Sequence, residues 1–165
     1  MTPHIVVVGF LVLQRLAELV YSRRNLQRLV AQGALVIDEP VYPWIIAVHA
    51  GWLAAMAFLI PADAFIHFRF LFLYLALLAF RIWVMASLGR YWCTRIVTLP
   101  GAPLVKRGPY RFIRHPNYVV VVAEIAVAPL ILGAWKIAVV FSILNAAVLW
   151  FRIRTEDKVL DARAA

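Results

Sequence analysis

Charged residues are scarce in this chain of 165 residues. Asp, Glu, Lys and Arg together make up 15% of it, whereas they make up about a quarter of a typical soluble domain. Hydrophobic residues account for 65%, and the mean hydropathy is +0.86. This composition excludes an ordinary soluble protein. We predict an integral membrane protein that forms a single domain over residues 1–165.

Several features of soluble protein classes are also missing. Cys93 is the one cysteine, which excludes an internal disulfide and a cysteine-based metal site, and we expect no metal. There is no alternation of strand and helix patterns and no glycine-rich dinucleotide fingerprint, so we expect no nucleotide-binding domain of the soluble type. No small-residue cleavage site follows the apolar residues 1–13, which therefore predict a retained first span rather than a signal peptide.

Long apolar segments make up most of the chain, and each can cross or nearly cross a bilayer as a helix. The last two are short, and residues 133–136 join them as a tight helical hairpin that could dip into the membrane rather than span it. Residues 25–30 have polar and apolar side chains at helical spacing, and we expect them to lie along the interface. The five predicted spans are residues 5–21, 44–60, 65–88, 118–134 and 137–151. The predicted fold is an all-α polytopic membrane protein with about five transmembrane helices.

Basic residues are distributed unevenly between the two ends of these spans. Residues 22–43, 89–117 and 152–165 are rich in Lys and Arg, whereas the opposite ends hold only Arg69 and Lys136. Lys and Arg collect on the cytoplasmic side of membrane proteins. We therefore predict an outer N-terminus and a cytoplasmic C-terminus, in a bacterial inner membrane. The net charge of +9 is accounted for by this orientation, and we expect no nucleic acid partner.

Ionisable side chains occur within four of the spans. They are Arg15, Glu18, His49, Arg81 and Glu124. Counted from the inner helix ends, four of them share one level, roughly 9–11 Å deep; these are Arg15, His49, Arg81 and Glu124. In one interpretation, Arg15–Glu18 and Arg81–Glu124 are buried ion pairs that fix helix packing, and His49 is a satisfied packing residue. In the other, these residues line a polar pocket that opens to the cytoplasm.

A basic stretch, residues 106–118, lies between two apolar spans, where so many polar side chains indicate a binding site. It contains G-P-Y-R at 108–111 and R-H-P-N-Y at 114–118, and R-x-x-x-E-D follows the last span at 152–157. These motifs and their separation resemble the isoprenylcysteine carboxyl methyltransferase family, which is related to the membrane phospholipid methyltransferases. The resemblance covers the second half of the chain, and R-L-A-E at 15–18 is similar to a bacterial subgroup.

The resemblance implies methyl transfer from S-adenosyl-L-methionine at the cytoplasmic membrane face, with S-adenosyl-L-homocysteine as the product. It implies a cofactor site formed by residues 89–118 and 152–160, with Arg152 and Glu156 as the active-site pair. The residues that it implies for the cofactor lining are Gly108, Pro109, Tyr110, His115, Pro116 and Tyr118.

The chemistry of these side chains suits such a cofactor. Arg114 or His115 can hold its carboxylate by charge-assisted hydrogen bonds, and Glu156 can accept hydrogen bonds from the ribose hydroxyls or the ammonium group. The aromatic residues that can stack on the adenine are Tyr110, Tyr118 and Trp92.

The methyl acceptor determines whether a base is needed. A carboxylate is already ionised at neutral pH, whereas a phenol titrates near 10 and benefits from a base. Glu124, to which we assign a catalytic role, or His115 could take that proton. Cys93 has no base placed beside it, and we interpret it as a packing residue. The residues that we assign to substrate binding are Arg15, Glu18, His49, Arg81 and Trp92.

We therefore predict a membrane methyltransferase that O-methylates a lipophilic molecule, at a carboxylate or at a phenol or pyrone hydroxyl. The acceptor would enter from the inner leaflet and the cofactor from the cytoplasm. One alternative is N-methylation of a phospholipid head group. Another is a non-catalytic membrane subunit whose buried ion pairs only fix helix packing. A third is a relative of the sterol reductases, which share a similar R-H-P-x-Y turn, although the short chain argues against it.

Overall fold

The computed structural model describes the chain over residues 2–164 and its side chains over residues 2–162. Arg163, which belongs to the predicted cytoplasmic tail, lies outside the described side chains. The elements in chain order are α1 (Pro3–Ala31), β1 (Leu35–Val36), α2 (Tyr42–Leu59), α3 (Phe68–Leu88), β2 (Val97–Thr98), α4 (Pro116–Ile131) and α5 (Trp135–Ala164), with 3-10 turns at Gly89–Tyr91 and Gly108–Arg111. The predicted all-α class is confirmed.

Four of the helices, α1, α2, α3 and α5, are long and apolar enough to cross a membrane. α4 has 16 residues and is therefore about 24 Å long, short of a hydrocarbon core of about 30 Å. The outward faces carry exposed apolar side chains such as Leu13, Phe58, Phe72 and Ile143. An apolar exterior of this extent is typical of a membrane protein, because the exposure of so much apolar surface to water would be unfavourable in free energy.

α5 differs from its prediction, because it is a helix of 30 residues rather than a short segment. The apolar run ends near Phe151, but no glycine or proline follows it. Arg, Glu, Lys and Leu favour the helix, so α5 continues for about 20 Å beyond that point. The predicted tight hairpin before it is present. Gly133 has a φ of +71°, and its N–H donates to the carbonyl of Leu130 at 3.1 Å, which closes α4.

α1 is also longer than predicted, with 29 residues. Residues 25–30 are helical, as their spacing indicates, but they continue α1 and do not form a separate segment along the interface. The C-terminal half of α1 lies at the end of the helices that is predicted to face the cytoplasm, which we call the inner end. It is held there by polar contacts with the chain after α3. Asn25 Nδ2 donates to the carbonyl oxygens of Gly89 at 3.2 Å and Trp92 at 2.9 Å, and the Thr94 N–H donates to Ser22 Oγ at 2.8 Å. These contacts fix α1 against one wall of the site.

A two-stranded antiparallel sheet joins the segments that follow α1 and α3. Leu35 pairs with Thr98 and Val36 with Val97. Next to it, the backbone N–H of Ile96 donates to Glu39 Oε1 at 2.7 Å. The sheet therefore ties the α1–α2 connection to the long segment between α3 and α4.

α4 lies between α3 and α5 and packs against both. Its side chains at Val120, Glu124, Ile125 and Ala128 are fully buried. Pro116 occupies the first turn of α4, where a missing N–H costs nothing. The end of the basic stretch is consequently held at the inner end of the most buried helix.

Candidate active site

A cavity of about 670 Å³ opens between the inner parts of the helices and the segment between α3 and α4. A volume of this size is typical of small-molecule sites. Its walls come from α1, α2, the end of α3, the start of α4 and the second half of α5. The basic stretch contributes Tyr110 and Tyr118 to these walls, and the R-x-x-x-E-D motif contributes Arg152 and Glu156.

The inner part of the cavity brings together most of the residues predicted to bind the cofactor. Those that line it are Tyr110, Arg114, His115, Tyr118 and Glu156, together with Arg152 and Trp92. Burial, with a further contribution from Glu156, raises the pKa of Tyr110. Its phenol is therefore neutral and presents an aromatic face.

Gly108, Pro109 and Pro116 are absent from the cavity lining formed by the described side chains. Gly108 has a φ of +56°, and a Cβ there would come within 2.1 Å of Ser87 Oγ and 3.2 Å of Trp83 Nε1. Glycine is therefore required for contact with α3, not for an approach to a ligand. These three residues shape the backbone that presents Tyr110 and His115.

Arg152, Tyr118 and Glu156 form a hydrogen-bonded chain across the cavity wall. Arg152 Nε donates to Tyr118 Oη at 2.7 Å, and Tyr118 Oη donates to Glu156 Oε2. Arg152 Nη2 also donates to the carbonyl of Thr94 at 2.5 Å. The predicted active-site pair is thus linked through the tyrosine of the R-H-P-N-Y motif, which holds both charged groups in a fixed orientation.

Arg114 and His115 are paired with carboxylates of α5. Arg114 Nε lies 3.0 Å from Asp157 Oδ1, and its Nη2 lies 2.6 Å from Asp161 Oδ1. His115 Nε2 lies 2.8 Å from Asp157 Oδ1. The hydrogen bond that Arg114 donates to Asp161, together with the charges of both Asp residues, raises the pKa of Arg114. These pairs fasten the end of α5 over the basic stretch.

Four of the five ionisable residues predicted within the spans form one buried polar cluster, which also includes two neutral residues and does not include His49. Its members are Gln14, Arg15 and Glu18 of α1, Tyr74 and Arg81 of α3, and Glu124 of α4. Both predicted ion pairs are present: Arg15 Nη1 lies 2.8 Å from Glu18 Oε2, and Arg81 Nε lies 2.8 Å from Glu124 Oε1. Two cross pairs join them, Arg15–Glu124 at 2.6 Å and Arg81–Glu18 at 3.3 Å.

Only part of the buried polar cluster faces the cavity, where it forms the floor. Arg15, Glu18 and Arg81 line the cavity, whereas Glu124 is fully buried and does not belong to the lining of the described part. The two arginines therefore separate Glu124 from the cavity. With two Arg and two Glu side chains, the cluster has no net charge when all four are ionised.

His49 lines the cavity from α2. Its Nδ1 lies 2.8 Å from the carbonyl oxygen of Ile45, one helical turn earlier. A carbonyl oxygen only accepts, so Nδ1 carries the proton and donates. Nε2 has no hydrogen-bond partner among the side chains and backbone of residues 2–162.

Glu39 is a contributor that the sequence did not indicate as part of the site. Its carboxylate is buried, with Oε2 3.5 Å from Arg152 Nη1 and Oε1 3.5 Å from Arg95 Nε. The signal that could have found it is an acidic residue before Pro40 in a chain with only 8 acidic residues. Cys93 also lines the cavity. Burial raises the pKa of its thiol to about 11, so it is protonated at neutral pH.

Between α1 and α2 the cavity wall contains exposed apolar side chains. Leu16 and Leu19 of α1 and Ile46 of α2 line it, and each is about half exposed, at 52%, 50% and 52%. Exposed apolar residues on two adjacent helices of the wall indicate a lateral opening between them. It lies at the level of the transmembrane segments, and its rim is apolar.

Comparison with known sequences identifies the family. The model of the isoprenylcysteine carboxyl methyltransferase (ICMT) family matches residues 70–162, which is more than half of the chain. The chain belongs to the isoprenylcysteine carboxyl methyltransferase family. Membership in the ICMT family implies a membrane methyltransferase, and the match extends from α3 through both motifs into the end of α5.

The chain also has a bacterial relative of similar length. The chain is 39% identical to the uncharacterized protein YpbQ of Bacillus subtilis over 160 residues, which cover 93% of this chain and 94% of that protein. No solved structure matches the chain. The similarity to YpbQ spans α1 and α2 as well, so it includes the first half of the chain, which lies outside the ICMT match.

Proposed function

We propose that the protein transfers a methyl group from S-adenosyl-L-methionine to an oxygen of a lipophilic acceptor. The observation that carries this proposal is one continuous cavity. It joins the Tyr118–Arg152–Glu156 chain at the inner end to an apolar lateral opening at membrane level. A cavity with a polar inner end and an apolar opening can hold a polar cofactor and a lipophilic acceptor at the same time.

The residues of the inner part fit the proposed cofactor. Glu156 can accept hydrogen bonds from ribose hydroxyls or an ammonium group, because its side chain is 28% exposed and borders the cavity. Tyr110 offers a neutral aromatic face for an adenine ring, whereas the Trp92 ring is buried and stacks on Tyr21. When bound, S-adenosyl-L-methionine would supply an electrophilic methyl group on a sulfonium ion.

Arg152 is positioned to orient the acceptor. Its Nε and Nη2 are engaged by Tyr118 and Thr94, whereas Nη1 has only the longer contact of 3.5 Å with Glu39. An N–H group of this kind can hold an acceptor oxygen. Arg152 is itself buried, and the low exposure to water strengthens such contacts.

The floor of the cavity favours an acceptor oxygen over an amine. Arg15, Arg81 and Glu18 line it while the carboxylate of Glu124 lies behind them, so the lining carries two positive charges and one negative charge. Guanidinium groups attract carboxylate, phenolate or carbonyl oxygens and repel cations. We therefore prefer O-methylation to N-methylation of a phospholipid head group, with the apolar part of the acceptor in the lateral opening.

Binding of S-adenosyl-L-homocysteine to the purified protein tests the cofactor assignment. Isothermal titration in detergent should show saturable binding. We expect E156Q to weaken it by at least about tenfold, or about 1.4 kcal/mol. D38N is the matched control, because Asp38 is an exposed acidic residue outside the cavity lining. Folded wild-type protein without saturable binding would favour the non-catalytic alternative.

The acceptor itself can be sought in membranes. Mass spectrometry of lipid extracts from cells with and without the protein should reveal species that differ by one methyl group. Products that carry the label of methyl-labelled methionine on oxygen support the proposal, whereas labelled phospholipid amines would replace it with N-methylation.

A further inference from the structure

An acceptor hydroxyl needs a base, and three side chains near the site can act as one: Glu124, His115 and His49. Glu124 is not available to an acceptor. Its oxygens accept hydrogen bonds from Arg81 Nε at 2.8 Å and Arg15 Nη2 at 2.6 Å, and it is fully buried behind both arginines. A proton from the cavity would have to pass the two cations to reach it.

His115 faces the acidic residues of α5 with both ring nitrogens. Nε2 lies 2.8 Å from Asp157 Oδ1, and Nδ1 lies 3.6 Å from Glu156 Oε2. Its ring also stacks on Tyr118, with 5.4 Å between the centroids. These contacts give His115 a fixed place in the wall where the cofactor is proposed to bind. Its Nε2 is engaged by Asp157, and the Glu156 carboxylate, which makes no hydrogen bond with Nδ1, lies beside that nitrogen where an acceptor hydroxyl would have to approach.

His49 meets the requirements that the other two fail. Its Nδ1–H donates to the carbonyl of Ile45, which leaves Nε2 with a lone pair. Nε2 has no partner in the described part of the chain, and the side chain lines the cavity. Arg15 and Glu18 of α1 and Arg81 of α3 are the charged groups that act on the ring.

The position of His49 also agrees with a path from the lipid. Ile46 and Leu53 flank it on α2 and line the same cavity, and Ile46 forms part of the lateral opening. Tyr42, seven residues earlier on the same helix face, lies with its ring 5.9 Å from the Arg152 guanidinium. One face of α2 therefore runs from the proposed acceptor site at Arg152 to the opening, with His49 on the way.

We propose that His49 Nε2 removes the proton of an acceptor hydroxyl, so that the acceptor is a phenol or an enol and not a carboxylate. This inference rests on the proposed methyltransferase function. The hydroxyl proton passes to Nε2, the oxygen forms its bond to the methyl group, and the electrons of the broken carbon–sulfur bond remain on sulfur. The imidazolium then releases the proton to water through the cavity.

Two acceptors that differ only in acidity separate a base from a packing residue. A long-chain alkyl phenol must lose its proton in the reaction, whereas a long-chain alkyl nitrophenol is already ionised near neutral pH. We expect H49Q to slow methylation of the phenol on the order of 100-fold and to change methylation of the nitrophenol by no more than about threefold. Imidazole added to H49A should restore part of the phenol activity.

A readout without turnover completes the test. In the presence of S-adenosyl-L-homocysteine, absorbance reports the ionisation of bound alkyl nitrophenol, which should occur at lower pH with wild-type protein than with H49Q. The affinity for S-adenosyl-L-homocysteine should be unchanged in H49Q. If H49Q lost methylation activity equally with both acceptors, or if the wild-type protein methylated carboxylates alone, the role of His49 would be overturned while the methyltransferase proposal stands. Loss of cofactor binding in wild-type protein would overturn both.

Discussion

Glu124 is a fully buried carboxylate in contact with two guanidinium groups. Replacing it with Gln keeps its size but leaves Arg15 and Arg81 opposite Glu18 alone. One buried positive charge is then uncompensated. We expect E124Q to destabilise the protein by about 3–5 kcal/mol, observed as a lower thermal unfolding midpoint in detergent. Turnover should fall only as far as folded protein is lost.

A double variant provides the control for this charge argument. R81Q/E124Q removes one charge of each sign and leaves the Arg15–Glu18 pair, which has an N–O distance of 2.8 Å. It should therefore recover part of the stability that E124Q loses. If E124Q unfolds at the wild-type midpoint and still turns over slowly, the catalytic role predicted from the sequence would be supported instead.

Individual residues of the site were predictable where the information is local. The i, i+3 spacing of Arg15 and Glu18 places them on one helix face, and the R-H-P-N-Y motif is a continuous run. The cross pairs with Arg81 and Glu124 depend on how three helices are rotated against one another. Glu39 reaches Arg152 only because a short sheet folds its segment inwards. No spacing in the sequence encodes such contacts.

The inner end of α5 fastens the basic stretch, and its two aspartates contribute unequally. Asp157 contacts both Arg114 and His115, whereas Asp161 contacts Arg114 alone and its side chain is 68% exposed. Exposed ion pairs contribute little to stability. We expect D157N to weaken binding of S-adenosyl-L-homocysteine about tenfold, and D161N to change it by no more than about twofold. Titration of both variants checks this, and equal effects would contradict it.

The helices were predictable to the extent that hydropathy defines them. The five apolar segments correspond to the five helices, but the ends of α1 and α5 did not follow from the apolar runs. Both helices continue through polar residues that contact the rest of the inner end, among them Ser22 and Asn25 of α1 and Arg152 and Asp157 of α5. The strands Leu35–Val36 and Val97–Thr98 are too short to leave a periodic pattern, and their pairing requires the helices to bring them together.

Helix lengths explain why the site lies where it does in the whole molecule. α1 and α5 have 29 and 30 residues, so each is about 45 Å long and exceeds the hydrocarbon core of about 30 Å. α4 is short and begins at Pro116, directly before Asn117 and Tyr118 of the cavity wall. The inner ends of α1 and α5 therefore extend beyond the start of α4 and surround the cavity, which is the depression between them. A polar cofactor and a membrane-bound acceptor can meet in that depression.

The proposed orientation places this depression in the cytoplasm, and cysteine labelling tests it. Asp63 lies in the exposed link between α2 and α3, and Lys158 lies exposed at the end of α5. Each can be replaced by cysteine in a C93S variant, which has no other cysteine. The excess of Lys and Arg at the end with Lys158 favours the cytoplasm for it. In intact cells, an impermeant maleimide should label D63C and leave K158C unlabelled, and permeabilised cells should label both. The reverse pattern would place the cavity outside the cytoplasm, where S-adenosyl-L-methionine made in the cell could not reach it directly.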